Sequence, residues 1–147
     1  MTLLELNRAH LQDCIAIDAD SPHPWGESHW ARSLRDDHCL GLCLDSHLLA
    51  VSAYSLVFDE LSLLNIVVAD NQKGRGYGQA LLEQGLEWMQ QFGPARCILE
   101  VRVSNLAARR LYKRLGFGED GLRKNYYPLG TGREDAMLMS VNLPLEY

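Results

Sequence analysis

The chain has 147 residues, 47% of them apolar and 22% charged, a length that suits one globular domain over 1–147 and a core that needs neither disulfides nor a structural metal. Its 14 basic and 19 acidic side chains leave a net charge of −5, without the basic surplus with which a nucleic-acid binder holds phosphates. Cys14, Cys39, Cys43 and Cys97 form no CxxC pair and have no histidine cluster at zinc spacing, so buried free thiols and no metal are expected.

The first residues, MTLLELNRAH, lack the basic start and long apolar stretch of a secretory signal, and a cytoplasmic protein is expected. The most apolar stretch, LSLLNIVVA at 61–69, is too short to cross a bilayer. Residues 2–6 read as a short strand, and Leu11, Cys14, Ile15 and Ile17 are spaced for an amphipathic helix over 9–18. DSPHPWGES at 20–28 is rich in helix breakers, and a second helix is expected from Glu27 to Asp36. HCLGLCL, HLLAVSAYSLV and LSLLNIVV then read as three strands of a meander, joined by an Asp-Ser and an Asp-Glu turn.

A glycine-rich turn at 74–78 leads into a helix whose Leu82, Gly85, Leu86 and Met89 lie along one face, ended by Gly93-Pro94. The nearly unbroken apolar run CILEVRV at 97–103 suits a strand covered on both faces. Because it follows the previous strand through a helical crossover, the two should be parallel neighbours. Ser104 or Asn105 is placed to cap a helix presenting Ala108, Leu111, Tyr112 and Leu115, and Gly116 suits its left-handed end. Strands over 117–128 and 133–143 close the chain around an LGTG turn. The whole predicts an α/β fold, a mixed sheet with helices on its faces.

The strongest local signal is NIVVADNQKGRGYGQALL, a strand, three alternating glycines and a helix start. Glycines let backbone approach a ligand closely, and the N–H groups and positive dipole end of the helix favour an anion, so a phosphate-binding turn is the physical reading, although short glycine motifs alone favour an ordinary connection. It lacks the Gly-Lys-Ser/Thr of a Walker loop, and Gln79 stands where a dinucleotide fingerprint needs its third glycine.

Here the sequence resembles the GNAT acetyltransferase family, whose pyrophosphate turn has the form Arg/Gln-x-x-Gly-x-Gly/Ala, in this chain Lys73-Gly74-Arg75-Gly76-Tyr77-Gly78. Lysine at the first position keeps the charge of arginine but not its planar fork. PW at 24–25, VFDELSLLNIVV at 57–68, LEVRVSNLAARRLYKRLGF at 99–117 and NYYPLGTGREDAMLM at 125–139 further resemble its RimI branch, the ribosomal-protein-alanine N-acetyltransferases. The resemblance implies a mixed sheet of about seven strands flanked by about four helices, with two parallel strands splayed at the cofactor. It also implies acetyl-CoA as donor and, as acceptor, the N-terminal alanine of small-subunit ribosomal protein eighteen.

Carried over residue by residue, the resemblance assigns Ile66, Val67 and Val68 to the pantetheine arm and thioester. Gly74, Arg75, Gly76, Tyr77, Gly78 and Gln79 would hold the pyrophosphate, and Asn105 would touch the cofactor from the next helix start. A protein N-terminus has a pKa near 8 and must lose a proton before it attacks. Glu100 matches the family's proton acceptor and Tyr112, with a phenol pKa near 10, its donor to the departing thiolate. In isolation the plainer readings win: Glu100 as a surface carboxylate or a partner of Arg102, Tyr112 as core, and Asn105 as a helix cap. A backbone N–H near Val67 or Val68 is the candidate oxyanion donor. Cys97, three residues from Glu100 on the same strand, faces the opposite side and is expected in the core.

Trp25, the Asp59-Glu60 turn, Asn65, Tyr126, Tyr127 and Glu134 are the candidate walls for the acceptor peptide, with a loop anchor and a cross-strand ladder as the plainer readings of Trp25 and of the tyrosines. The histidines fall outside the blocks of resemblance and are expected to be solvated or locally bonded. The expected enzyme is a monomer with no nucleic-acid or membrane partner. Rival readings are a GNAT enzyme for another amine, a non-catalytic acyl-CoA sensor and, least favoured, a nucleotide binder.

Overall fold

The computed structural model describes residues 1–146. In chain order the elements are β1 (Thr2–Glu5), a 3-10 turn (Arg8–His10), α1 (Leu11–Asp18), α2 (Glu27–Asp36), β2 (His38–Leu44), β3 (His47–Val57) and β4 (Glu60–Val68). There follow α3 (Tyr77–Met89), β5 (Arg96–Arg102), α4 (Leu106–Arg114), β6 (Gly118–Leu129) and β7 (Gly132–Asn142). They form one mixed sheet in the order β1-β2-β3-β4-β5-β7-β6. Among the described residues no helix is long and apolar enough to cross a membrane.

Strand alternation sends side chains to two separate cores. Leu61, Leu63, Cys97, Leu99 and Val101 face α3 and α4, where they meet Leu82, Leu86, Met89 and Tyr112. Val51, Ala53 and Val67 face the other way, onto Cys14, Trp30 and Leu34 of α1 and α2. The expected helix over 9–18 divides in two: Asn7 accepts a hydrogen bond from the Ala9 N–H and opens a 3-10 turn, and the α-helix begins at Leu11.

Asp45 and Ser46 both have positive φ, 50° and 67°, as a two-residue hairpin of the favoured twist requires. The next hairpin differs from the expected Asp-Glu turn. Val57 pairs with Glu60, so Phe58 and Asp59 form the turn, and Phe58 adopts φ 56°.

The junction of β4 and β5 shapes the site. Their parallel pairing runs from Glu60 with Arg96 to Leu63 with Leu99 and then stops. On the other edge of β4, Ala53 pairs with Asn65 but Tyr54 with Leu63, which leaves Leu64 as the extra residue of a bulge. Bulges bend the strand that carries them. Beyond it Asn65–Val68 stay with β3, while Glu100–Arg102 stay with β7, and the two strands part.

Candidate active site

Backbone dominates one side of the gap. The Ala69 N–H donates to the Leu49 carbonyl at 2.8 Å, and the register continues through Val67 with Val51 and Asn65 with Ala53. Antiparallel pairing alternates the direction of backbone groups, so Val67 spends its N–H and C=O on β3. Those of Ile66 and Val68 face the gap. Of the two candidate donors, only the Val68 N–H faces the gap.

At the end of the gap lies the first turn of α3. Its first intrahelical bond runs from the Ala80 N–H to the Gly76 carbonyl, so the N–H groups of Tyr77, Gly78 and Gln79 project from a positive helix end. Gly74 and Gly76 have φ of 79° and 81°, a conformation that strains any side-chain-bearing residue. Gly78 is helical, and a Cβ there would meet Val68 Cγ2 at 3.5 Å and Leu111 Cδ2 at 3.6 Å, ordinary contacts. Lys73 leans on Asp70 at 3.5 Å. Arg75 donates to Gln72 at 3.1 Å and, unlike its neighbours, does not line the cavity.

That cavity, of about 940 Å³, runs from the glycine turn along Ile66–Val68 to Glu100, Asn105 and Tyr112. Asn105 caps α4, its Oδ1 accepting from the Ala108 N–H at 3.2 Å, so the cap is real and coexists with a place on the cavity wall. A second cavity of about 820 Å³ adjoins it, and Trp25, Glu100 and Tyr127 border both.

Glu100 and Tyr112 approach the gap from the two faces of the sheet. Glu100 lies on the α1/α2 side, its side chain 31% exposed, with Arg123 Nη1 3.3 Å from Oε1. Tyr112, 6% exposed, packs on the α3/α4 side. Burial, reinforced by the neighbouring Cys97 and Tyr127, pushes its phenol well above the ordinary range, so it stays protonated at neutral pH. Cys97 is fully buried, on the face opposite Glu100.

Tyr126 and Tyr127 pack edge to face at 5.0 Å between centroids. Burial and then the Glu100 charge raise the Tyr127 phenol to about 12. The chain here was expected as one continuous strand. Instead its pairing with β7 is interrupted between Arg123 and Tyr127, and Asn125 adopts φ 53°. The Asn125 N–H donates to Asp135 Oδ1 at 2.9 Å. Arg133 donates to the Asn125 and Tyr126 carbonyls at 2.7 and 2.9 Å. The bulge is thus held from β7, and it carries both tyrosines to the cavities.

Trp25 is fixed by its backbone N–H, which donates to Asp18 Oδ2 at 2.9 Å. The same oxygen accepts from Trp30 Nε1 at 2.9 Å. Asp18, 2% exposed, therefore anchors the loop that carries Trp25. Asn65 lines the first cavity.

Glu134 and the Asp59-Glu60 turn, expected as walls, lie outside both cavity linings. Glu134 is 8% exposed, absent from both cavity linings, and paired with Arg102 at 2.9 Å, which holds its carboxyl below the ordinary range. A carboxylate so buried needs its own cation and is not free to face a peptide. Asp59 and Glu60 also lie outside both linings, with Glu60 3.8 Å from Arg96.

Sequence reasoning missed Asp18, Arg123 and His29. The His29 ring stacks on Trp25 at 3.7 Å, borders the second cavity, and has its pKa lowered by burial and then by Arg32. Arg123 meets Glu100 only through the fold, whereas His29 and Asp18 lie within four and seven residues of Trp25, on a loop whose course the sequence leaves open. Among the described residues no cluster of three or more His, Cys, Asp or Glu is arranged to hold a metal.

Residues 5–117 match the family model for the GNAT acetyltransferases. The chain belongs to the GNAT acetyltransferase family. It is 37% identical over 123 residues, 83% of either chain, to the ribosomal protein bS18-alanine N-acetyltransferase of Escherichia coli strain K12. With the enzyme of that name from Haemophilus influenzae it shares 37% identity over 105 residues, 71% of either chain. The crystal structure of the E. coli ribosomal-protein-S18-alanine N-acetyltransferase superposes with a TM-score of 0.90 at 34% identity, covering 99% of this chain and 96% of that one. The family, its RimI branch and the seven-stranded mixed sheet expected from the sequence blocks are therefore those found.

Proposed function

We propose that this GNAT enzyme moves an acetyl group from acetyl-CoA to the N-terminal alanine of small-subunit ribosomal protein bS18, by direct attack in a ternary complex. The reading rests on one observation above all: the gap between β4 and β5 opens directly into a second cavity, with Glu100 at their common border. Relatives named as ribosomal protein bS18-alanine N-acetyltransferases support that acceptor. A protein acceptor of this kind implies a cytoplasmic enzyme, and a single sheet with a core on each face supports one domain, which would work as a monomer.

Acetyl-CoA supplies an acyl group activated as a thioester. The residues fit it: the first-turn N–H groups of α3, beside Gly74 and Gly76, suit a pyrophosphate. The gap-facing groups of Ile66 and Val68 suit an extended amide-bearing arm, Val67 supports their direction, and Asn105 closes the far wall. In this reading the Val68 N–H polarises the reacting carbonyl. Glu100 takes a proton from the alanine ammonium, and Tyr112 gives its proton to the departing sulfur from the opposite face. Trp25, Tyr126 and Tyr127 enclose the first acceptor residue.

The test is to incubate ribosomal proteins lacking N-terminal acetylation with this enzyme and labelled acetyl-CoA, then locate the label by mass spectrometry. Label on the α-amine of the bS18 alanine is expected. Label confined to lysine side chains, or none, overturns the proposal.

A further inference from the structure

Arg123 is the one arginine in contact with Glu100 among the described residues. It sits in β6, beyond β7, and reaches across to Glu100 from the edge of the second cavity. The neighbouring Arg102 is already committed, donating to Glu134 at 2.9 Å and to the Pro128 carbonyl at 2.8 Å, with its side chain only 16% exposed. Arg123 is held far more loosely. Its side chain is 51% exposed, the contact to Glu100 is a single one at 3.3 Å, and the guanidinium also lies over the Tyr126 ring at 4.7 Å. Asp120, on the same strand, borders the same cavity.

We propose that Arg123 is a stand-in cation, which the acceptor ammonium must displace from Glu100 before its proton can be taken. The inference rests on the reading of Glu100 as the base. Both cations seek the same carboxylate oxygens, so the ammonium and the Arg123 guanidinium compete for one place on Glu100. In the exchange Arg123 keeps its stacking on Tyr126 and turns toward Asp120, while Glu100 passes from one positive partner to another and is never left bare. Arg123 is thus a positioning residue that acts through Glu100, setting an affinity cost that a neutral or blocked N-terminus does not overcome.

The sign of the effect separates this role from that of a wall. Arg123→Gln should lower the acceptor KM about threefold, the size of a partly exposed ion pair, because a competitor has gone. A residue that merely lined the peptide site would raise KM when removed. Arg123→Lys should restore the wild-type KM, and Arg123→Met, which keeps the apolar stem, should repeat the fall if Gln perturbs folding. By calorimetry with an Ala-initiated peptide, Arg123→Gln should tighten binding in the wild-type background and have no effect in Glu100→Gln. An unchanged or raised KM in both neutral variants, or equal tightening in the two backgrounds, overturns the proposal. Wild-type turnover in Glu100→Gln instead overturns the assignment of the base, a different outcome read from a different variant.

Discussion

A phenol is a useful acid only while it keeps its proton, and the surroundings of Tyr112 enforce that. At 6% exposure its ionised form is penalised by burial, and the pKa moves upward. Tyr112→Phe should therefore reduce kcat by at least about 100-fold, the lower end of the range for one proton-transfer group. Calorimetry should show acetyl-CoA still bound, since Phe retains the packing against Phe117 at 5.7 Å. Because the shift is upward, kcat should show no loss from Tyr112 ionisation below pH 10. An alkaline fall that persists in the Phe variant would belong to another group. Neither role proposed for Glu100 and Tyr112 is suggested by the residue alone; both rest on the motif blocks around them. The Arg123 contact was hidden because it joins residues 23 positions apart that never pair in the sheet.

Periodicity reveals a strand but not where its pairing slips. β2, β3 and β4 were readable from apolar runs and turn residues, whereas the bulge at Leu64 and the break after Arg123 depend on the partner strand's count of residues. The glycine turn shows the same limit, because three glycines look alike in sequence and differ in the fold. Gly76→Ala forces a side chain into φ 81°, at a cost of about 1–3 kcal/mol, in the loop proposed to cradle the pyrophosphate. It should raise the acetyl-CoA KM and lower the melting temperature. Gly78→Ala meets only ordinary contacts, gains helix propensity, and should bind acetyl-CoA nearly as the wild type does. Steady-state kinetics and thermal melts on the pair check this, and equal damage at both positions would refute the distinction. Gly85→Ala belongs with the damaging class, as its Cβ would fall 2.5 Å from the Tyr54 hydroxyl. Overpacking of this kind costs about 1–3 kcal/mol.

Across the whole molecule, order along the chain disclosed the class of fold and the parallel relation of β4 and β5, but not that β7 would insert between β5 and β6. That insertion places the bulge of β6 near Glu100. The same packing buries ionisable groups in both cores. Burial raises the thiols of Cys14 to about 12, Cys39 to about 11 and Cys97 to about 12 from an ordinary 9.0. It also raises the phenols of Tyr54 and Tyr112. These groups are neutral in the folded chain, and the unfolded chain ionises first as pH rises. Their contribution is therefore intact below the ordinary thiol pKa and declines as pH climbs toward the folded values. The melting temperature should hold steady from pH 7 to about 8.5, then fall progressively from about 9 as thiols and then phenols ionise in the unfolded state. Scanning calorimetry across pH 7–11 checks the onset. A thiol-reactive probe at pH 8 should label the partly exposed Cys43 first, with Cys14, Cys39 and Cys97 reacting only as fast as the protein opens. If all four thiols react together under native conditions, or the melting temperature stays level to pH 11, the cores do not shield these groups as their packing requires.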